Sequence, residues 1–308
     1  MQRGSKNSIY VETLISAPLE DLWVHTQDPS LHERWDLRFT SIEYTSRDEE
    51  SGRQQFRYAT RMGFGVEIVG TGESIATTEL RDGSRVSSLT FRSEDSISLI
   101  LKGSGYWKYV PRAEGVRFLT SYDYEQRFGS FGRIIDSIVF RPLMGWATAW
   151  SFDRLRIWLE RGIDPADALR SALIHALVRA ILAVVFIYQG LVPKLLVRSP
   201  LELAMLRQMG IPSSQTHSWL IVIAFAEILL GVALIVFGRS RSLIAFVPVL
   251  MLAMTIAVLL LQPSLFASAF SPLVLNLAVT GLAVIDLLMD PATIPSASRC
   301  LRQPHDQN

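Results

Sequence analysis

Between residues 172 and 289 the chain is dominated by four apolar runs, and no other feature narrows its fold as much. The run 219–237 reads WLIVIAFAEILLGVALIVF, with a single acid, Glu227, near its middle. Residues 243–261 carry no charge, and 265–289 hold only Asp286, near the end. Upstream, 172–197 is marked by Arg179, Gln189 and Lys194. A bilayer core about 30 Å thick takes roughly 20 apolar residues per helix, and each run meets that length. The sequence therefore predicts an all-α four-helix transmembrane bundle over 165–290.

The residues before about Arg161 are ordinary and polar, so a soluble domain over 8–161 precedes the bundle. A formal net charge of +1 gives no reason to expect nucleic acid as a partner. Cys300 is the only cysteine, which excludes a disulfide framework and a thiolate metal cluster. The opening MQRGSKNSIYVETLI lacks the apolar core of a secretory signal, and 291–308 reads as a polar tail. With four spans, one side of the membrane collects Arg154, Arg156, Arg161, Arg170, Arg239, Arg241, Arg299 and Arg302. The other side has Lys194, Arg198 and Arg207. That bias predicts an inner (cytoplasmic) membrane protein with both termini in the cytoplasm.

In the soluble half, SIYVETLI at 8–15 alternates as a strand does. Two short helices are expected next, one from Ala17-Pro18 to Trp23 and one from Asp28-Pro29 to Trp35. Six more strands follow, at about 39–45, 53–62, 65–76, 84–92, 96–110 and 116–127, separated by turn residues such as Asp82-Gly83-Ser84. From Phe131 to Glu160 the period becomes helical, and Pro142 is expected to kink that helix. The fold class is thus α+β: an antiparallel sheet wrapped on a long C-terminal helix. Asp164-Pro165 reads as an N-cap and first helical position, making 162–165 a short domain boundary.

The stretches VETLISAPLEDLW and QDPSLHERWD, with the closing FDRLRIWLE helix, resemble the START-like superfamily, the helix-grip fold of polyketide cyclases and lipid-transfer proteins. The resemblance implies an apolar ligand held between sheet and helix. In the second half, YQGLVPKLL, LELAMLRQMGIP, AEILLG and FSPLVLNL together resemble the DoxX-like family of small four-helix membrane proteins. That likeness implies a membrane redox setting and not a reaction: no cofactor is assigned, with quinone and a redox partner protein as open candidates.

Alternation sorts the sheet into two rows. Val11, Phe56, Tyr58, Thr60, Met62, Leu89, Phe91, Phe118, Tyr122 and Tyr124 share one. Arg57, Arg61, Glu67, Arg117, Asp123 and Glu125 share the other. If the first row faces the helix, with Trp146 and Trp150 opposite, the chamber is apolar and free of charge, and it offers no catalytic acid or base. His25 and His32 lack acids at ligand spacing, so no metal site is expected; Trp35 and Trp107 read as core or rim aromatics. Intramembrane polar groups default to functional candidates: Arg179, Gln189, Lys194, Glu227, Asn276 and Asp286. Arg179, Asp286 and His175 lie at similar shallow depth, whereas Glu227 is mid-bilayer with Gln189, Asn276 or Lys194 as partners.

Three functions are compatible with these residues. The first is a membrane-tethered binder of lipophilic small molecules, exchanging ligand with membrane lipids at the inner leaflet. The second is a quinone- or redox-linked membrane protein centred on Glu227. The third is a cyclase- or dehydratase-type enzyme, which would need an ionisable group inside the chamber.

Overall fold

The computed structural model describes residues 8–49, 52–62, 65–268 and 271–303. It divides into two compact units: residues up to Leu169 together with those from Ala292 onward, and Arg170–Pro291.

The first unit begins with β1 (Ile9–Ile15), α1 (Leu19–Gln27) and α2 (Pro29–Trp35). Asp28 caps α2 by accepting a hydrogen bond from Ser30 N at 2.8 Å, and Pro29 supplies the first helical position. Six strands follow: β2 (Ser41–Arg47), β3 (Gln54–Met62), β4 (Val66–Glu79), β5 (Arg85–Arg92), β6 (Ile100–Arg112) and β7 (Gly115–Gln126). They form one antiparallel sheet with the order β1-β7-β6-β5-β4-β3-β2. Each neighbour except β1 is next in sequence, so short turns suffice to build it.

The sheet grips a helix. α3 (Gly129–Ile135) passes through a π-helical stretch, Asp136–Phe140, into α4 (Arg141–Arg161). The expected kink at Pro142 takes the form of that π stretch, because proline has no N–H to continue the regular ladder. Gly162, at φ 67°, ends α4 in the left-handed conformation glycine adopts without strain. On the buried side of α4, Phe152 stacks on Phe118 with centroids 4.4 Å apart, and Thr148 Oγ1 lies 2.9 Å from Tyr122 Oη. Phe152, Leu155 and Ile157 are fully buried, each contributing roughly 1.5–3 kcal/mol by removal from water.

Residues 292–303 do not trail away as the polar character of the tail suggests. Ser296 N and Arg299 Nη1 donate to Asp153 Oδ2 at 2.7 and 2.9 Å, and Cys300 Sγ donates to Ala149 O at 3.2 Å. Leu301 then pairs with Glu12 through two backbone bonds of 2.9 Å, at the edge of β1 that β7 leaves free. This segment is a strap across α4 and the sheet edge. The polar residues that made it look like a tail are consumed by the buried carboxylate of Asp153.

The second unit holds most of α5 (Pro165–Gln189), which continues as a π helix over Gly190–Leu196. After it come α6 (Pro200–Gln208), α7 (Thr216–Val236), α8 (Arg241–Leu261) and α9 (Pro272–Leu288). Pro165–Leu196, Thr216–Val236 and Arg241–Leu261 are long and apolar enough to cross a membrane. The fourth expected span, 265–289, is shorter: a 3-10 turn, Pro263–Ala267, comes first, and α9 has 17 residues. Pro272 holds Ser271 extended at ψ 131°, so the helix cannot start earlier. Leu182, Phe186, Leu234, Val247 and Val279 form the unit's core. Gly231 lets α7 approach α5 closely, since a Cβ there would sit 2.8 Å from the carbonyl of Ala183.

Candidate functional sites

The pleat places Phe56, Tyr58, Thr60, Leu89, Phe91, Phe118, Tyr122 and Tyr124 on the face of the sheet that meets α4. The register links Phe56 to Gly72, Gly72 to Phe91, Phe91 to Gly103 and Gly103 to Tyr124 across five strands. The glycines shape this wall. A Cβ on Gly72 would lie 2.2 Å from Phe56 Cζ, and one on Gly103 would lie 2.4 Å from Phe91 Cζ. Both rings therefore lie flat along the sheet instead of standing up from it. The side chain of Met62 lies outside the described residues.

The interior is divided. Toward α1 and α2 it is filled: Trp35, Tyr109, Phe118 and Phe152 are fully buried, and Trp107 nearly so. Tyr109 Oη sits 2.7 Å from Thr26 Oγ1, and burial pushes its phenol well above the ordinary value. Trp35 Nε1 donates to His25 O at 2.9 Å. Tyr58 is also buried, which pushes its phenol up to about 12. Farther along the wall, Phe56, Thr60, Leu89 and Phe91 remain partly accessible while facing inward. Trp150 is buried, but Trp146 is 42 % exposed and belongs to the outward side of the helix, not to the wall where it was expected.

The expectation of a charge-free chamber fails. Asp36 is buried, and the Arg38 side chain paired with it is only 10 % exposed. Arg38 Nε donates to Asp36 Oδ1 at 2.9 Å and Nη2 to Oδ2 at 2.6 Å, a bidentate pair. The guanidinium lies 5.5 Å from the ring centre of Tyr122 and 5.4 Å from that of Phe39. His32 Nε2 is 3.1 Å from Asp36 Oδ2, and its ring stacks on Trp35. Burial alone would raise the Asp36 carboxyl, but the adjacent guanidinium and the hydrogen bonds hold it well below the carboxylate range. Asp36 and Arg38 lie between α2 and β2, outside any periodic pattern, so alternation had nothing to say about them. The acid two residues before an arginine, directly after a helix end, was the available signal.

The outward row also forms a feature that the sequence did not suggest. A groove of 880 Å³ crosses the middle strands, lined by Arg57, Thr71, Glu73, Thr90, Arg92 and Lys102 among others. Its cations and acids are interspersed; Lys102, for one, pairs with Glu125 at 3.2 Å.

In the membrane unit the six polar candidates fall into separate groups. Asp286 receives Arg179 Nε at 3.0 Å on one oxygen and lies 2.5 Å from His175 Nδ1 on the other. Arg179 also donates to the carbonyls of Phe237 and Ser240. Lys194, in the π stretch of the first span, lies 2.9 Å from Glu227 Oε2 and 3.2 Å from Glu202 Oε2, and donates to the carbonyl of Gln189. Glu202 was missed because it lies between the apolar runs, in the LELAMLRQMGIP stretch, and so outside the intramembrane polar candidates. Asn276 bonds Thr255 Oγ1 at 2.9 Å, not Glu227.

A helix-grip unit, its seven-stranded antiparallel sheet packed on α4, is joined to a bundle of apolar helices of membrane-protein type. Residues 183–284 match the model of the DoxX-like family. The chain is 46 % identical over 183 residues to the uncharacterized membrane protein YndG of Bacillus subtilis (strain 168), covering 59 % of this chain and 68 % of that protein. The chain belongs to the family of that membrane protein. Among solved structures, TTHA0849 from Thermus thermophilus is 20 % identical with a TM-score of 0.39, covering 48 % of this chain and 94 % of the other. A STAR-related lipid transfer protein fragment from Xanthomonas axonopodis is 15 % identical with a TM-score of 0.37, covering 52 % and 97 %.

Proposed function

We propose that this protein is a membrane-tethered binder of lipophilic small molecules, its ligand lying between the sheet and α4. It resides in the inner (cytoplasmic) membrane with both termini on the cytoplasmic side, as the arginines flanking the spans favour. One observation carries the reading. Phe56 and Phe91 lie flat across Gly72 and Gly103 and, with Leu89, form an apolar stretch of the sheet face that stays partly accessible. A surface of that kind gains by burial against an apolar ligand. The Asp36–Arg38 pair beside it satisfies much of its own charge, so its part is to fix the loop after α2 and to border the ligand with a polar edge. No general acid or base stands free on that wall among the described residues, which favours holding over turnover.

The reading is tested by organic extraction and mass spectrometry of the detergent-purified protein, with Gly72→Ala as comparison. The added methyl would meet the Phe56 ring first, so the ring must stand up from the sheet. Wild-type protein is expected to carry a stoichiometric apolar compound, and the variant to lose about tenfold in affinity for it, equivalent to about 1.4 kcal/mol. Equal extracts from both, with no bound compound in either, would defeat the proposal.

A further inference from the structure

The segment from α3 to α4 has two faces, and the wrong one is apolar. Inward, Gly132, Asp136 and Thr148 are buried, and Asp136 and Thr148 bond the sheet tyrosines Tyr124 and Tyr122. Outward run Phe131, Ile134, Ile138, Val139, Leu143 and Trp146, which are 69, 58, 71, 57, 53 and 42 % exposed. A surface helix of a soluble domain keeps its polar residues on that side, and a contiguous apolar row of this length marks a contact. Of the cations within 127–152, Arg141 is held by Asp123 and the buried Asp136, and Arg127 donates to the carbonyl of Ser93, while Arg133 is exposed beside the row.

The chain itself supplies the occupant. Three residues after α4 ends, α5 begins the first membrane span. That link is held at both ends: Asp164 pairs with Arg34, and Pro165 O accepts from Arg154 Nε at 2.8 Å. A lipid surface is therefore within reach of this domain at all times, at an effective concentration no diffusing partner matches. Trp146 closes the row with the aromatic type favoured at the headgroup level, and the exposed Arg133 complements an anionic leaflet.

We infer that the outward face of 131–146 rests in the headgroup–acyl boundary of the bilayer the protein spans, with Arg133 directed to anionic headgroups. The inference goes beyond ligand binding and holds with the chamber empty or full. It fixes which face of the domain the lipid meets.

The test uses the full chain in nanodiscs of phosphatidylcholine with or without phosphatidylglycerol. An environment-sensitive fluorophore is placed at Ile138→Cys, and in a second protein at Leu143→Cys, each in a Cys300→Ser background. A label at Thr78→Cys, on an exposed strand position, is the control. Spin-labelled lipids are expected to quench positions 138 and 143 severalfold more than position 78, while aqueous iodide shows the reverse order. Adding Arg133→Glu should reduce the lipid quenching only in discs with phosphatidylglycerol. Iodide access at 138 and 143 equal to that at 78 overturns the inference. Protection from iodide without lipid quenching also overturns it, assigning the face to protein; energy transfer between labelled copies would then identify a second copy of the chain.

Discussion

At the residue scale the Asp36–Arg38 pair is a buried commitment of the first unit. Removing one partner of a buried pair leaves a charge without compensation, typically about 3–5 kcal/mol. Arg38→Met is therefore expected to lower stability by that order, and Arg38→Met with Asp36→Asn to recover much of it; chemical denaturation followed by tryptophan fluorescence measures both. The sign of the acid dependence follows from the same pair. The folded Asp36 carboxyl is held below its unfolded value of about 3.9, so its contribution is fully present above that pH. It is lost as pH falls toward the folded value. Wild-type stability should therefore decline below about pH 4 more steeply than that of Asp36→Asn, and an equal slope would show that the pair does not govern the acid limb. In the membrane unit Lys194 holds two carboxylates. Lys194→Met is expected to lower the detergent melting temperature, and adding Glu227→Gln to restore part of the loss. A double variant no better than the single one would assign the ammonium to Glu202.

At the element scale, the strap 292–303 makes a sharp prediction. Burial pushes the Cys300 thiol up to about 12, and its Sγ is occupied by the carbonyl of Ala149. In the folded protein Cys300 should resist alkylation at mildly alkaline pH. Asp153→Ala removes the acceptor of Ser296 and Arg299 and should speed labelling by about tenfold or more if the released strap opens by an added 1.4 kcal/mol or so. Unchanged labelling would mean that the Leu301–Glu12 pairing alone holds the strap. The contrast between strap and sheet shows where sequence was informative. Phe56, Tyr58 and Phe91 alternate with arginine, threonine or alanine, so a period of two sorted them onto one face before any coordinates. Ser296, Arg299 and Cys300 follow no period, and their roles come from a partner, Asp153, more than a hundred residues earlier. Asp36 and Arg38 failed to stand out for the same reason, being fixed by tertiary neighbours and not by a repeat. The π stretches at 136–140 and 190–196 were likewise invisible, although Pro142 and Pro193 lie beside or within them.

For the whole molecule, apolar run length separated the two halves, because the bilayer imposes a length that soluble cores do not need. Counting four runs put both ends of the chain on one side, but it could not reveal that 292–303 packs into the first unit. The residues before α5 and those after α9 finish in a single folded body, so the polypeptide must traverse the lipid an even number of times. Three long helices would be an odd count, leaving 292–303 stranded across the membrane from β1. The balancing passage falls to α9, whose 17 residues reach about 25 Å, short of the hydrocarbon thickness. Lipid around that one helix has to thin, or the extended residues at its start have to complete the crossing. Such a bundle would sort toward thinner membranes and grow less stable as acyl chains lengthen.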